Sequence, residues 1–285
     1  MKGCFTMASV LNKNVPDSRL LALDVGNTNI TMGIFLGSTI EHQWRLQSNS
    51  LKTSDEYGIE IEQILNHWGY SASCLKDVIL GSVVPLMNHR MSTMSRRFLK
   101  HEPIIVGEGT RTGMAIRMDN PKDVGADRIV NAVAGYEKYG GPLIVVDIGT
   151  AITHDVISSK GEYLGGTIAP GVGIATDGLT SRTAKLPKVE LQLLDHAIGK
   201  NTAEAMQVGI IQGYIGLVDH LTAILIDEIK ETEGRDKEVT VVATGGFSSL
   251  LSSNSVYTQY IDHDLTLQGL RLIYERTMRA RANEK

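Results

Sequence analysis

Apolar and polar positions alternate or recur along most of this chain, and the period changes from segment to segment. Short apolar runs at 20–24, 30–35 and 40–46 are separated by Gly26-Asn27 and by Leu36-Gly37-Ser38, which predicts three strands joined by tight turns. Thr53 followed by Glu56 reads as a capping box, and Tyr57, Ile61, Leu65 and Trp68 then follow at helical spacing. Further strands are expected at 78–84 and 104–106. Asn120-Pro121 opens a turn. Ile129, Val130, Val133 and Ala134 predict a helix that stops at Gly140-Gly141. Strands at 143–147, 152–157 and 163–168 come next, then a long helix over about 201–231, a strand at 239–243 and a last helix over 267–278.

Two parts of this pattern repeat. Residues 21–34 read LALDVGNTNITMGI and residues 144–157 read IVVDIGTAITHDVI. Each is an apolar strand, an Asp, a β-branched residue, a Gly, a Thr-bearing turn and a returning strand. Similar openings at domain-length separation predict a duplicated α/β architecture with a cleft between two halves.

The two turns hold most of the candidate chemistry. Gly26, Asn27, Thr28, Asn29 and Thr31 after Asp24 offer backbone N–H groups, hydroxyls and amides of the kind that cradle phosphate. The Asp24 carboxylate repels phosphate but can hold Mg²⁺ through water. A hairpin built of turn-forming residues accounts for one such turn alone; Asp147-Ile148-Gly149-Thr150 makes a second. Neither follows the G-x-x-x-x-G-K-[ST] pattern. In Gly125-Ala126-Asp127-Arg128, Asp127 falls in the first turn of a predicted helix. The dipole there favours an ionised carboxylate, suited to accept a hydroxyl proton, and Arg128 offers a donor fork. Asp–Arg neighbours at a helix start also serve structure alone. Gly165-Gly166, Gly171 and Gly173 suggest a glycine-rich loop, either against a ligand or as a plain connection. Residues 181–187 read as a basic, hydroxyl-bearing loop, and Thr244-Gly245-Gly246 as a flat floor for a base. Gly209, Gly213 and Gly216 stripe the long helix, implying close approach of another helix, internal or from a second subunit.

Composition narrows the choice. The 285 residues carry a net charge of −4 and only 5% aromatics, which argues against nucleic-acid binding. Uninterrupted apolar runs stay at four or five residues, so no membrane span is expected. Cys4 and Cys74 form no disulfide framework or zinc spacing, so a cytoplasmic setting is expected. Residues 1–19 read as an N-terminal extension without a signal sequence. His154 and His263 read as surface or packing residues.

Taken in order, 24–29, 125–128, 147–151, 165–171 and 182–187 resemble type III pantothenate kinase, over nearly the whole chain from about 20 to 279. The resemblance implies two ribonuclease-H-like domains, with an interdomain nucleotide cleft, placed at 20–126 and 127–285. It implies a homodimer with active sites at or near the subunit interface. The reaction it implies is ATP-dependent phosphorylation of pantothenate to 4′-phosphopantothenate, opening coenzyme A synthesis. Carried over, Asp24, Val25, Gly26, Asn27, Thr28, Asn29, Ile30 and Thr31 would bind ATP phosphates, with Asp24 near Mg²⁺. Thr150 would contact ATP, and Asp147 would hold K⁺ or NH₄⁺. Asp127 would be the general base, and Met118, Gly125, Ala126, Asp127, Arg128 and Thr183 would line the pantothenate site. The chain departs from the family at Met118, where a Tyr is usual, and at Ile152-Thr153-His154 in place of Thr-Thr-Phe. Alternative readings are a kinase of the same fold acting on another polyol, a nucleotide-binding regulatory protein, and a hydrolase on the same scaffold.

Overall fold

The computed structural model describes residues 18–283. Most of the N-terminal extension, with Cys4, lies outside them. Strands β1 (Arg19–Val25), β2 (Asn29–Leu36) and β3 (Thr39–Gln47) form the expected antiparallel meander. Helix α1 (Ser54–His67) follows, and its capping box is present. The Thr53 N–H donates to Glu56 Oε2 at 2.7 Å, and Glu56 N–H donates back to Thr53 Oγ1 at 3.3 Å. Trp68 does not continue the buried face as its spacing predicts. It terminates α1, is 47% exposed and packs on His42.

Strand β4 (Leu75–Ser82) runs parallel to β1, and β5 (Ile104–Ile105) adds to its far side. The first sheet therefore has the order β3-β2-β1-β4-β5. Helix α2 (Pro85–Met94) was not anticipated. Its buried side chains are Met87, Met91, Ser92 and Met94, and Pro85 sits in its first turn, where a missing N–H costs nothing.

The same plan recurs. Strands β7 (Leu143–Ile148), β8 (Ala151–Ile157) and β9 (Glu162–Pro170) form a second meander; β10 (Thr240–Thr244) lies parallel to β7 and β11 (Tyr260–Ile261) parallel to β10. The order is β11-β10-β7-β8-β9-β6, the first sheet's arrangement plus the two-residue β6 (Ala115–Ile116). The duplication read from the two hairpins thus extends to strand order and direction. Gly165 and Gly166 lie within β9 rather than in a loop. Gly166 pairs with Asp155, and a Cβ on it would fall 1.7 Å from the His154 carbonyl oxygen, so only glycine lets β9 approach β8 here.

Both sheets are buried on both faces. Leu21, Leu23, Met32 and Leu80 pack toward α1 and α2. Leu20, Ala22, Phe35 and Ile79 point the other way, into a layer shared with Leu143, Val145, Ile157 and Val242 of the second sheet. That layer holds α3 (Ala126–Tyr139), which stops at Gly140 as expected, and α7 (Leu265–Asn283). Helix α7 packs on α3 and on β1, β2 and β4 of the first sheet. The outer face of the second sheet is covered by α5 (Thr202–Glu233) and α6 (Ser248–Ser252), with α4 (Val172–Ser181) beside them. Buried His154 faces this side.

Among the described residues α5 is long and apolar enough to cross a membrane, which uninterrupted apolar runs did not reveal. Its Ile211, Ile215, Val218 and Ile229 belong to the core of the second sheet. The opposite side is open: Gly209, Gly213 and Gly216 are exposed, with nothing within 4 Å of a Cβ built on any of them.

Candidate active site

Strand alternation decides where the acids point. Leu20, Ala22 and Asp24 share the face of β1 toward α3, and Leu143, Val145 and Asp147 share the matching face of β7. Asp155 and Ile157 do the same on β8. Helix α3 begins between the sheets, with Gly125 as its N-cap and Asp127 in its first turn. Asp24, Asp127 and Asp147 are thereby brought close enough for Asp127 to raise the pKa of both others.

The two hairpin turns meet directly. Thr28 Oγ1 and Thr150 Oγ1, 122 residues apart, are 3.1 Å from each other. The first turn closes through the Gly26 N–H on the Asn29 carbonyl at 2.9 Å, the second through the Gly149 N–H on the Ala151 carbonyl at 3.0 Å. Asn27, Thr28 and Asn29 are exposed, whereas the side chains of Val25 and Ile30 are buried under α1 and α2 and present only backbone here. Thr31 pairs with Asp24 across the hairpin. Gly171, at the start of α4, backs the second turn. A Cβ there would lie 2.3 Å from the Thr150 oxygen, where the Gly171 N–H now donates at 3.1 Å. Gly245 lies beside Asp147 with φ of +92°, and its absent Cβ would meet Asp147 Oδ1 at 2.5 Å. The Thr244-Gly245-Gly246 segment therefore adjoins the second turn.

Burial raises the pKa of the carboxyl groups of this cluster. It pushes Asp24 up to about 7, helped by Asp127 and then Asp147. Asp147 is also pushed to about 7 by burial, then by Asp127 and Asp155, against a hydrogen bond from Asn131 Nδ2 to its Oδ2 at 3.0 Å. Asn131 is fixed in turn by Thr266 of α7, whose hydroxyl donates to its Oδ1 at 2.7 Å. Asp127 is raised as well. The sequence suggests that a helix start keeps it ionised; burial outweighs the Arg128 N–H, which donates to Asp127 Oδ1 at 2.8 Å, and the Arg128 charge.

Arg128 turns away from its neighbour. Its Nε donates to Asp155 Oδ1 at 2.6 Å, and that oxygen also accepts from Tyr163 Oη at 2.6 Å. Neither Asp155 nor Tyr163 was singled out from the sequence. The available signal was a carboxylate at an inward position of a mixed strand, with Thr153 on the same side.

Met118 and Thr183 complete the predicted substrate residues. Met118 packs against the central core, and its Sδ lies 3.0 Å from a Cβ built on Gly165. Thr183 is exposed, and its hydroxyl donates to the Leu179 carbonyl at 2.8 Å at the end of α4.

The donor set is all oxygen, the chemistry of hard cations. Among the described residues no three His, Cys, Asp or Glu side chains gather tightly enough to hold a metal by themselves. Mg²⁺ or K⁺ at Asp24 or Asp147 would complete its shell from water and ligand oxygens, as Mg²⁺ commonly does at phosphate sites.

Comparison with known proteins falls on the same residues. The type III pantothenate kinase family model matches residues 20–223, a stretch that takes in both turns, Asp127 and Thr183. A type III pantothenate kinase of Moorella thermoacetica is 49% identical over 257 residues, 90% of this chain and 99% of its own. One from Myxococcus xanthus is 45% identical over 257 residues, 90% and 98% of the two chains. A crystal structure described as a Baf family transcriptional activator from Campylobacter jejuni shares the fold, with TM-score 0.56 at 20% identity over 91% of this chain and 99% of that one. With relatives aligned from end to end and the family match spanning every acid of the cleft, the chain belongs to the type III pantothenate kinase family.

Proposed function

We propose that this protein transfers the γ-phosphoryl group of ATP to the terminal hydroxyl of pantothenate, giving 4′-phosphopantothenate for coenzyme A synthesis. The observation that carries the reading is the convergence of Asp24, Asp127 and Asp147 on one cleft where the two hairpin turns touch, in a chain of this family. The backbone N–H groups and hydroxyls of residues 26–31, with Thr150 opposite, hold the phosphates. Asp127 takes the proton from the attacking hydroxyl. Gly125, Ala126 and Arg128 shape the pantothenate pocket beside it. Mg²⁺ near Asp24, and K⁺ or NH₄⁺ at Asp147, would neutralise charge on the phosphates and on these carboxylates. Positioning and charge do most of the work, because phosphoryl transfer asks little covalent chemistry of the protein.

The test is ADP formation across a panel of alcohols. Pantothenate should stimulate turnover, and sugars and other polyols should not. Stimulation by a sugar alone would assign the site to another kinase of this fold, and no stimulation by any acceptor would favour a regulatory nucleotide-binding protein or a hydrolase.

The two matching sheets support a two-domain division at 20–126 and 127–285, with α3 and α7 lying between and the nucleotide in the cleft. A homodimer fits α5. Its glycine stripe faces open space within one chain, and a groove of about 600 Å³ beside it is lined by Leu179, Leu186, Met206, Ile210, Tyr214 and Leu217. A second copy docked there would also cover the segment bearing Thr183, bringing that residue to an interface. Gly213→Leu should then convert a dimer to a monomer in sedimentation equilibrium; a dimer that persists unchanged would place the contact elsewhere. A cytoplasmic location, without nucleic acid or membrane, completes the proposal, in keeping with the net charge of −4 and free Cys74.

A further inference from the structure

We infer that Asp155, held by Tyr163, is a positioning residue that aims the Arg128 guanidinium into the pantothenate pocket and keeps it off the Asp127 carboxylate. The inference rests on the placement of Asp127 and Arg128 in that pocket. An arginine directly after a general base poses a problem. Its fork is the natural partner of the nearest carboxylate. Here that would be Asp127, and a paired base would lose both its free oxygen and its basicity.

The geometry avoids this outcome. Asp155 is 0% exposed and takes Arg128 through Nε at 2.6 Å, while the Arg128 side chain retains 12% exposure. Nη2 reaches the His154 carbonyl at 3.5 Å. Among the described residues Nη1 has no hydrogen-bond partner, so one arm of the fork is left for a ligand. Asp127 meets Arg128 only through the main-chain N–H.

Asp155 is itself held. Tyr163 Oη donates to Oδ1 at 2.6 Å and Thr153 Oγ1 to Oδ2 at 3.3 Å. The Tyr163 ring lies 5.8 Å from Arg128 Cζ, close enough for a cation–π contact. Gly166 stands directly opposite Asp155 on β9, so that cross-strand position adds no side chain beside the carboxylate. A buried ion pair of this kind contributes little stability over an apolar pair of similar size. Its use here is orientation: Asp155 and Tyr163 are anchored on strands β8 and β9, while Arg128, which they aim, belongs to α3.

The test compares Asp155→Asn, Tyr163→Phe, Arg128→Lys and the doubles Asp155→Asn/Arg128→Lys and Tyr163→Phe/Arg128→Lys in the full chain. Thermal melting checks that each folds. Each single variant should raise KM for pantothenate about tenfold, the scale of one lost charge-assisted hydrogen bond, with KM for ATP within about twofold of wild type. Each double should be no worse than Arg128→Lys, because both changes act through one group. Multiplying effects, or equal rises in both KM values, would reduce Asp155 to a structural role. If Arg128→Lys raises KM for pantothenate but Asp155→Asn and Tyr163→Phe do not, the positioning role alone fails. If Arg128→Lys leaves KM for pantothenate unchanged, the pocket assignment fails and takes the inference with it. Should Asp155→Asn not fold, the Tyr163→Phe pair reads the same coupling.

Discussion

Asp127→Asn should lower kcat about 100-fold or more while leaving ATP binding nearly intact. The substitution keeps the shape of the site. The amide oxygen it introduces can still accept from the Arg128 N–H, which now donates to the Asp127 carboxylate at 2.8 Å, and the start of α3 against Gly125 is undisturbed. What it removes is the proposed proton acceptor, and general bases contribute about 10² to 10⁴ in rate. A hundredfold loss corresponds to about 3 kcal/mol of transition-state stabilisation. Burial holds the Asp127 carboxyl above the ordinary carboxylate range, which makes it a stronger base than a surface aspartate. ATP binding should not suffer, because Asp127 is one of the charges crowding Asp24 and Asp147, and neutralising it relieves that crowding. Pantothenate-dependent ADP formation gives kcat, and calorimetric titration gives ATP affinity. Turnover within a few-fold of wild type would remove Asp127 from the chemistry.

The sequence and the structure meet most closely where a local signal had a global counterpart. The DVGNTN and DIGTAI openings predicted hairpins, and hairpins duplicated at domain-length separation predicted a duplicated sheet. The capping box at Thr53 and the stop at Gly140 were legible because caps are short-range chemistry. Helix α2 was not legible. Met87, Met91 and Met94 have helical spacing, but they sit among polar residues immediately after a proline. The edge strand β6 is two residues long and carries no pattern of its own. Nor does periodicity say which element a face will meet. The apolar side of α7 is plain in sequence, yet its packing on the first sheet depends on topology. Within the site, Asp24, Asp127 and Asp147 were readable because each stands at the end of a strand or the start of a helix. Asp155 sits inside ITHDVI, which the sequence reads only as a strand, and its pairing with Arg128 is visible only in the structure. At Asp127 burial outweighs the helix-start dipole for a related reason: a dipole is local and visible, whereas burial is a property of the fold.

Removing K⁺ and NH₄⁺ should reduce activity about tenfold or more, with either ion restoring it. The cleft gathers Asp24, Asp127 and Asp147 where the proposed function puts a triphosphate, and burial together with mutual repulsion already drives Asp24 and Asp147 to about 7. Like charges about 4 Å apart in such surroundings repel by about 4 kcal/mol, so an uncompensated carboxylate beside phosphate would oppose binding strongly. Asn131 satisfies only Oδ2 of Asp147, and Thr266 keeps Asn131 in place. Oδ1 lies against Gly149 and Gly245. A weakly hydrated monovalent ion suits that setting better than Mg²⁺, which demands a tight octahedron. Asp147→Asn should therefore lose most activity and, in what remains, respond to K⁺ no more than to Na⁺, because the charge the ion offsets is gone. Titrating KCl against a constant ionic strength of a large organic cation separates this effect from general screening. Wild-type turnover that is indifferent to the ion, or an Asp147→Asn enzyme still activated by K⁺, would move the cation site away from Asp147.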